Sequence, residues 1–300
     1  MIKQSQFYGQ ISLVIALVMA FFLSACGRGG GGTTGDSVDG MRGTPPQERR
    51  DDDTMINPTQ QARSIIARTD SLISAALYGE TSRDELPNFR IEADCSVEQC
   101  IYRETQSGIA RFFTLRELTN VEPTLAFVDN DMSIYRSEEN DTIRYYGLMN
   151  HSVFGFGTTY DQRSPRSNID FWGRTAIVGG DLTRSRPEST ATWNGIMLGT
   201  PSGTAGRTAV LRGAAQLTYD MDRQQIDAAF TNIRNQNGRA YAVRSIRFDD
   251  IPVTANGLFN DERAGDSIQG AFYGPAHIES AGVFEKRGVV GSFGVHQPTD

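Results

Sequence analysis

Lysine is nearly absent from this 300-residue chain: of its 29 basic residues only Lys3 and Lys286 are lysines, and the formal net charge is −7. Nucleic-acid binding requires a clustered basic surface, so we expect no nucleic-acid partner. Histidine and cysteine are also scarce, with three residues of each. Because these are the residues that most often hold metals, the sequence indicates neither a bound metal nor a cofactor.

Sequence motifs of the common catalytic folds are missing as well. The chain has no G-x-S-x-G motif, no P-loop and no G-x-G-x-x-G motif that follows a strand. Glu279 and Glu285 could form a carboxylate pair for acid–base chemistry. A solvated sheet face is the simpler interpretation of two glutamates on one predicted strand, and we also interpret His277 as a surface residue. The sequence therefore predicts a protein that is not an enzyme.

The one long apolar run lies at the N-terminus. Lys3 precedes residues 11–23, which are almost continuously apolar and lead into Ser24, Ala25 and Cys26. This run is shorter than the roughly 20 residues of a membrane-spanning helix, and its small-residue ending is typical of an export signal. Its Leu-Ser-Ala-Cys ending resembles the lipobox of bacterial lipoproteins. The resemblance implies that residues 1–25 are a signal peptide and that Cys26 carries lipid. The alternative is a plain secretory signal with an unrelated cysteine.

Residues 26–56 are rich in glycine, threonine, aspartate and proline, and almost none of them could contribute to a core. We predict that they form a disordered tether, which as a flexible coil would span about 30 Å. Cys95 and Cys100 are the two cysteines that remain once Cys26 is lipidated. Because an exported protein enters an oxidising compartment, we expect a disulfide between them. The alternative is two free thiols.

A helix followed by β structure is predicted for residues 57–185, which we call the handle region. Asn57 and Pro58 are typical of an N-cap and a first helical residue. Apolar residues then recur at spacings of three and four, which predicts a helix that ends near Gly79. These residues are Ile65, Ile66, Leu72, Ile73, Ala76 and Leu77. Predicted strands follow at residues 100–103, 111–115, 133–136, 142–149, 153–159 and 169–176.

The last third of the chain has a more regular pattern. Eight short strands are predicted at residues 190–198, 208–219, 225–233, 241–248, 253–258, 268–273, 276–285 and 289–295. Such even spacing is typical of an up-and-down antiparallel barrel or a sandwich. Alternation is clearest in the second of these strands, where Leu211, Ala215, Leu217 and Tyr219 share one face. The fold class is therefore mainly β, with residues 186–300 as a separate β domain.

The same region contains a series of aromatic residues and glycines, with one proline and one glutamate: Trp193, Gly270, Phe272, Tyr273, Gly274, Pro275, Glu279, Gly282, Phe284, Gly291, Phe293 and Gly294. This series is similar to the C-terminal signature of transferrin-binding protein B-like surface lipoproteins. The resemblance implies an eight-stranded antiparallel barrel beside a β-rich handle, on a lipid-anchored protein of the outer membrane. It also implies display on the cell surface, since the best-known members bind host proteins such as transferrin.

Three hypotheses for the function follow. The first is a non-enzymatic surface lipoprotein that binds a host or environmental macromolecule or a solute and reaches the surface through outer-membrane export machinery. The second is a structural or envelope-maintenance lipoprotein that faces the periplasm. The third is an enzyme whose site matches no motif. The lipobox, the tether and the family signature favour the first.

Lipidation at Cys26 can be tested directly. We expect mass spectrometry of the mature protein to show the loss of residues 1–25 and the added mass of acyl chains on Cys26. Cys26→Ala should release a soluble or unprocessed form, because the variant has no acyl chains to insert into the membrane. Each buried methylene of such a chain contributes about 0.8 kcal/mol to the free energy of membrane binding. Cys100→Ala is the matched control and should leave the acyl mass unchanged. An unmodified N-terminus at another residue would contradict the prediction.

Overall fold

The computed structural model describes residues 57–80, 88–92, 100–103, 110–113, 115–139, 142–162, 170–202, 209–263 and 265–298. Within them the fold is mainly β with one α-helix, which confirms the predicted fold class. Residues 1–56 and Cys95 lie outside the described residues, so the signal peptide, the lipid on Cys26, the tether and the disulfide to Cys100 stay predictions. In the described part of the chain, no helix combines the length and the apolar character needed to cross a bilayer.

The handle region forms a seven-stranded antiparallel sheet. The described strands of the handle region, in chain order, are β1 (Ser71–Glu80), β2 (Asn88–Glu92), β3 (Cys100–Arg103), β4 (Ala110–Phe113), β5 (Thr124–Asp129), β6 (Met132–Glu139), β7 (Thr142–Leu148), β8 (Ser152–Gln162) and β9 (Asp170–Gly180). Their order in the sheet is β2-β1-β9-β8-β7-β6-β5, while β3 and β4 pair separately. Strand β5 was not predicted, because a bulge between Leu125 and Phe127 interrupts its alternation.

The α-helix of the described residues, α1, spans Pro58–Arg68 and begins as predicted. The Asn57 side chain accepts a hydrogen bond from the Thr59 N–H at 2.8 Å, and Pro58 occupies the first turn. The predicted end near Gly79 is wrong, since Ser71–Glu80 is strand β1 and pairs with β9 along its whole length. Leu72 and Ile73 are both buried but belong to different cores on opposite faces of the sheet. A strand between two layers buries adjacent residues in this way, and the spacing of such residues imitates a helix.

The C-terminal part forms the eight-stranded antiparallel barrel that the family resemblance implies. Its strands are β10 (Ala191–Pro201), β11 (Leu211–Asp220), β12 (Gln225–Asn235), β13 (Ile246–Pro252), β14 (Leu258–Arg263), β15 (Asp266–Tyr273), β16 (Glu279–Lys286) and β17 (Val289–His296). They are ordered β13-β12-β11-β10-β17-β16-β15-β14, and a bridge from Val253 to Phe259 nearly closes the barrel. The predicted strand at residues 253–258 is wrong. Thr254 and Gly257 form a turn there, and β14 starts at Leu258.

Aromatic side chains fill the inside of the barrel. Phe230 lies at its centre, with ring centroids 4.5 Å from Phe284 and 5.2 Å from Phe293. Trp193 packs on Phe272 at 5.1 Å. These rings are fully buried, and Leu217 and Tyr219 of β11 point inward with them, as the alternation predicts. The interior is therefore a packed core, which is one of the two states open to a barrel of this size.

A second core lies between the handle sheet and the outer wall of the barrel. Phe154 and Val178 of the sheet are buried there against Ile196 and Val283 of the barrel. Gly294 provides the space for this contact, because a Cβ at that position would lie 2.2 Å from the Phe154 ring. The opposite face of the sheet is covered by α1 and by a 3-10 helix, Leu115–Thr119. The domain boundary predicted at residues 185 and 186 stays a prediction.

The packed interior of the barrel makes a prediction for stability. Phe272→Ala and Phe293→Ala should each lower the free energy of unfolding by about 3–5 kcal/mol, because each would leave a cavity in a tightly packed core. Urea unfolding of the full chain measures this loss. Met221→Ala is the control, since Met221 is 47% exposed, and it should change stability by no more than about 0.5 kcal/mol. A small loss for both phenylalanines would contradict the packed-core assignment.

Candidate functional site

Three connections from the two sheets meet at one end of the shared core. They are the turn between β7 and β8, the segment that follows β9 and the connection between β15 and β16. The Asp181 N–H donates to the His151 carbonyl at 3.0 Å, and the Gly274 N–H donates to the Asp181 carbonyl at 3.0 Å. Backbone hydrogen bonds therefore join the barrel to the handle at this point, which we call the junction.

The carboxylate of Glu279 lies at the centre of the junction. Its Oε1 accepts from the Asn150 N–H at 2.7 Å, and its Oε2 accepts from the His151 N–H at 3.0 Å and from the Ser152 hydroxyl at 2.8 Å. Glu279 is only 2% exposed, so our interpretation of it as part of a solvated face is wrong. The outer side of β16 is covered by the handle sheet at this position. No local pattern indicated this cover, because the donors are almost 130 residues away.

Burial raises the pKa of Glu279 above its ordinary value, because removal of water disfavours the charged form. The hydrogen bonds from Ser152, His151 and Asn150 lower this pKa in part, as does the charge of His151. Desolvation is the larger effect. The same direction holds for Glu285, where burial and the charge of Asp266 raise the pKa.

Glu279 and Glu285 do not form a catalytic pair. They lie at the two ends of β16, which separates them by about 20 Å at the usual rise of a strand. Acid–base catalysis on one substrate needs both groups within hydrogen-bond reach of the reacting atoms. The hypothesis of a paired carboxylate site is therefore wrong, and the role of Glu279 is to hold the β7–β8 turn on the barrel.

His277 and Trp193 fix the connection between β15 and β16 from the inside. The Trp193 indole N–H donates to the His277 carbonyl at 2.6 Å. His277 is 8% exposed, and its Nε2 lies 2.9 Å from the Ser185 carbonyl, so our interpretation of it as a surface residue is wrong. Gly274 has a φ of +73°, and a Cβ there would lie 2.6 Å from the His151 ring. Glycine is thus required by the backbone and by the close contact.

The remaining residues of the family signature divide between the two cores. Phe272, Phe284 and Phe293 point into the barrel, whereas Tyr273 is buried between the barrel and the handle. Burial raises the pKa of the Tyr273 hydroxyl above its ordinary value. The other members are Gly270, Gly282 and Gly291, whose missing side chains leave room for a ring or a carbonyl, and Pro275, which begins a short 3-10 turn. The structure thus gives these residues packing roles.

Two clefts lie beside the turn between β5 and β6, and the second of them also borders the junction. The first has a volume of about 570 Å³, and polar side chains line it. They are Asn130, Asp131, Asn194, Gln216, Thr231 and His296. The second has a volume of about 480 Å³ and shares Asp131, His296 and Pro298 with the first. Tyr135 and Leu148 give it an apolar wall. Amides, one carboxylate and one imidazole can exchange hydrogen bonds with a polar surface that enters the clefts.

The turn at Asp129, Asn130 and Asp131 was predicted, but its attachment to the barrel was not. The Asp129 carboxylate lies between two barrel arginines, 2.6 Å from Arg234 Nη2 and 3.8 Å from Arg212 Nη1. The Asn130 amide donates to the Gly195 carbonyl at 3.0 Å. The turn is therefore fixed to the barrel wall. In the described residues no group of three or more His, Cys, Asp or Glu side chains is placed to hold a metal ion.

No protein-family model matches the chain, and no curated protein matches it. Solved structures, in contrast, do match the chain. The isotype 1 transferrin binding protein B from serogroup B Neisseria meningitidis is 14% identical over 76% of this chain and 44% of that one, with a TM-score of 0.38. Intact Ap-TbpB, with N and C lobes, is 13% identical over 75% and 46%, with a TM-score of 0.38.

A mutant of transferrin binding protein B from Haemophilus parasuis Hp5 is 13% identical over 76% of this chain and 46% of that one, with a TM-score of 0.40. The chain thus spans less than half the length of the solved proteins that it matches. These proteins belong to the family that the signature resembles, and the likeness is one of fold alone.

The buried carboxylate predicts a specific dependence of stability on pH. Because the pKa of Glu279 is raised in the folded protein above its ordinary value of 4.5, the stability that this group contributes is complete below that value. It is lost as pH rises through the raised pKa. The free energy of unfolding of the wild type, minus that of Glu279→Gln, should therefore fall as pH increases from 4.5 towards neutrality.

Urea unfolding at a series of pH values measures this difference. The control is Glu188→Gln, which changes an exposed glutamate and should give a difference that does not vary with pH. A difference for Glu279→Gln that rises with pH would show that the three hydrogen-bond donors outweigh desolvation.

Proposed function

We propose that this chain is a lipid-anchored lipoprotein of the outer-membrane surface that binds a macromolecule and catalyses no reaction. The observation that carries the proposal is the packed interior of the barrel, where Phe230, Phe272 and Phe293 occupy the space that a small ligand would need. Recognition is therefore assigned to the outside of the molecule. The packed barrel leaves no room for an enclosed solute, and we assign the contact with the outer surfaces and clefts to a macromolecule.

The arrangement of the chain supports the same function. The predicted anchor at Cys26 and the tether of residues 26–56 would hold the folded part about 30 Å from the membrane. The junction makes the barrel and the handle one rigid support, since the Glu279 carboxylate and the packing of Phe154 join them. Binding residues are most effective on turns that a rigid scaffold positions, and the turn at Asp129–Asp131 between the two clefts is held in this way.

Location on the cell surface is the first test. We expect antibodies against the folded part to label intact cells, and added protease to remove the protein from intact cells. The control is a periplasmic protein from the same cells, which should react only after the outer membrane is permeabilised. Labelling that requires permeabilisation would overturn the surface proposal and favour the periplasmic structural lipoprotein.

A further inference from the structure

Strand β5 forms an open edge of the handle sheet. It is the last strand in the order and pairs only with β6 among the described residues. The backbone N–H and C=O groups on its other side are available to a further strand, and Thr124, Leu125 and Ala126 are all exposed. Proteins usually protect such an edge with charged residues or with a covering element, because it can pair with another chain.

The bulge in β5 brings two large apolar residues to the same face. Leu125 pairs with Tyr135, but after the bulge Phe127 pairs with Ile134 and Val128 with Ser133. Ile134 points into the core between the sheets, so Tyr135 and Ser133 point away from it, together with Leu125 and Val128. Leu125 is 58% exposed and Val128 is 57% exposed. The two therefore lie side by side on the outer face, at the edge.

The outer face of the sheet is covered over its centre and left open at this edge. Over β7, the Tyr146 hydroxyl donates to the Leu118 carbonyl at 3.1 Å, and Tyr146 is fully buried beneath the 3-10 helix. The apolar surface continues past this cover. It ends in Leu125, Val128, Ser133, Tyr135 and Leu148, which we call the β5 edge surface. Tyr135, Leu148 and Ser133 also line the second cleft, so the edge and the cleft are continuous.

Acidic residues stand at both ends of the exposed edge. Glu122 precedes β5 and Asp131 follows it; both are exposed, and neither forms an ion pair with another described residue. Asp129 differs from them because Arg212 and Arg234 neutralise it. The edge thus has a neutral, apolar centre and a negative charge at each end, which is complementary to a strand with basic ends.

The same charges disfavour a second copy of this chain as the occupant. In the symmetric antiparallel register that places Leu125 opposite Val128, Glu122 of each copy would lie near the turn that carries Asp131 in the other copy. Like charges would then come close together at both ends of the pair, which disfavours it. A strand with lysine or arginine at its ends would form ion pairs at the same two positions.

We infer that β5 is a docking edge for an extended segment of another protein, with alternating apolar residues and basic residues at both ends. The segment extends the sheet by main-chain hydrogen bonds to β5, and its apolar side chains cover Leu125 and Val128. This inference rests on the proposed binding function, because it describes how a macromolecular partner is held. It does not depend on whether the protein faces the exterior or the periplasm.

The test uses the detergent-purified full chain and a phage-displayed library of random nine-residue peptides. We expect enriched peptides to alternate apolar residues and to have lysine or arginine near both ends. Binding of a synthetic enriched peptide should fall at least tenfold with the double change Leu125→Lys and Val128→Lys. Met221→Lys is the matched control, because Met221 is a large exposed apolar residue on the barrel, and it should leave binding unchanged. Thermal unfolding of each variant confirms that it is folded.

Two further measurements distinguish strand pairing from simple apolar contact. Two peptides are compared, each N-methylated at every second residue and offset from the other by one residue. One of them should lose binding, and the Kd of the other should stay within threefold of that of the unmethylated peptide, because alternate N–H groups of a paired strand point to its partner. The double change Glu122→Lys and Asp131→Lys should weaken binding of the basic peptide and strengthen binding of a version with glutamate at its ends. Equal loss from both methylated peptides would overturn the inference, as would enrichment that the β5 variants do not change. Cell-surface labelling tests the proposed function independently.

Discussion

The apolar outer wall of the barrel is the constraint on which the rest of the structure depends. A closed barrel whose strands alternate cleanly would present a polar exterior to water. Here Ile196, Leu198, Ala281 and Val283 point outward instead, and the wall must be covered. The handle sheet provides the cover with Phe154 and Val178, and Gly294 is small because Phe154 occupies the space above it. The handle therefore packs as a layer on the barrel wall, and that contact brings the turns of the junction together.

Glu279 adds specificity to a contact that apolar packing alone would leave free to slide. Its carboxylate loses water on burial and regains most of its hydrogen bonds from one short segment, Asn150–Ser152. These bonds require the β7–β8 turn in one place, whereas apolar residues tolerate small shifts at low cost. If the side chain were truncated, the buried Ser152 hydroxyl would lose its acceptor, which costs about 1–3 kcal/mol, and the part-buried N–H groups of Asn150 and His151 would lose theirs as well. The raised pKa of Glu279 is the measurable sign that burial opposes this arrangement.

Sequence patterns predicted the parts of the fold that depend on local alternation. The inward residues of β11 are correct, because buried and more exposed residues alternate along that strand, and the number of barrel strands is correct as well. The pattern failed where a strand lies between two layers. Leu72 and Ile73 of β1 face different cores, and their spacing predicted a helix. Burial of Glu279 and His277 could not be predicted either, because their partners lie almost 130 and more than 90 residues away. The family signature includes Glu279 but did not reveal what this residue contacts, and it does not include His277.

The ion pairs of Asp129 distinguish the β5 edge from an ordinary exposed edge strand, because they fix its position. An edge strand usually frays, and a partner that pairs with it must first order it, which lowers affinity. Here the end of β5 is fixed twice, by the ion pairs of Asp129 with Arg212 and Arg234 and by the Asn130 amide on the Gly195 carbonyl. The Arg212 guanidinium also lies 4.5 Å from the centroid of the Phe127 ring and holds the inner face of the strand. Only the outer side chains and the open backbone groups remain for contact. The same arginines that attach the handle to the barrel thus order β5 before a partner binds. The partner then gains the hydrogen bonds of a sheet without the entropic cost of ordering the edge strand.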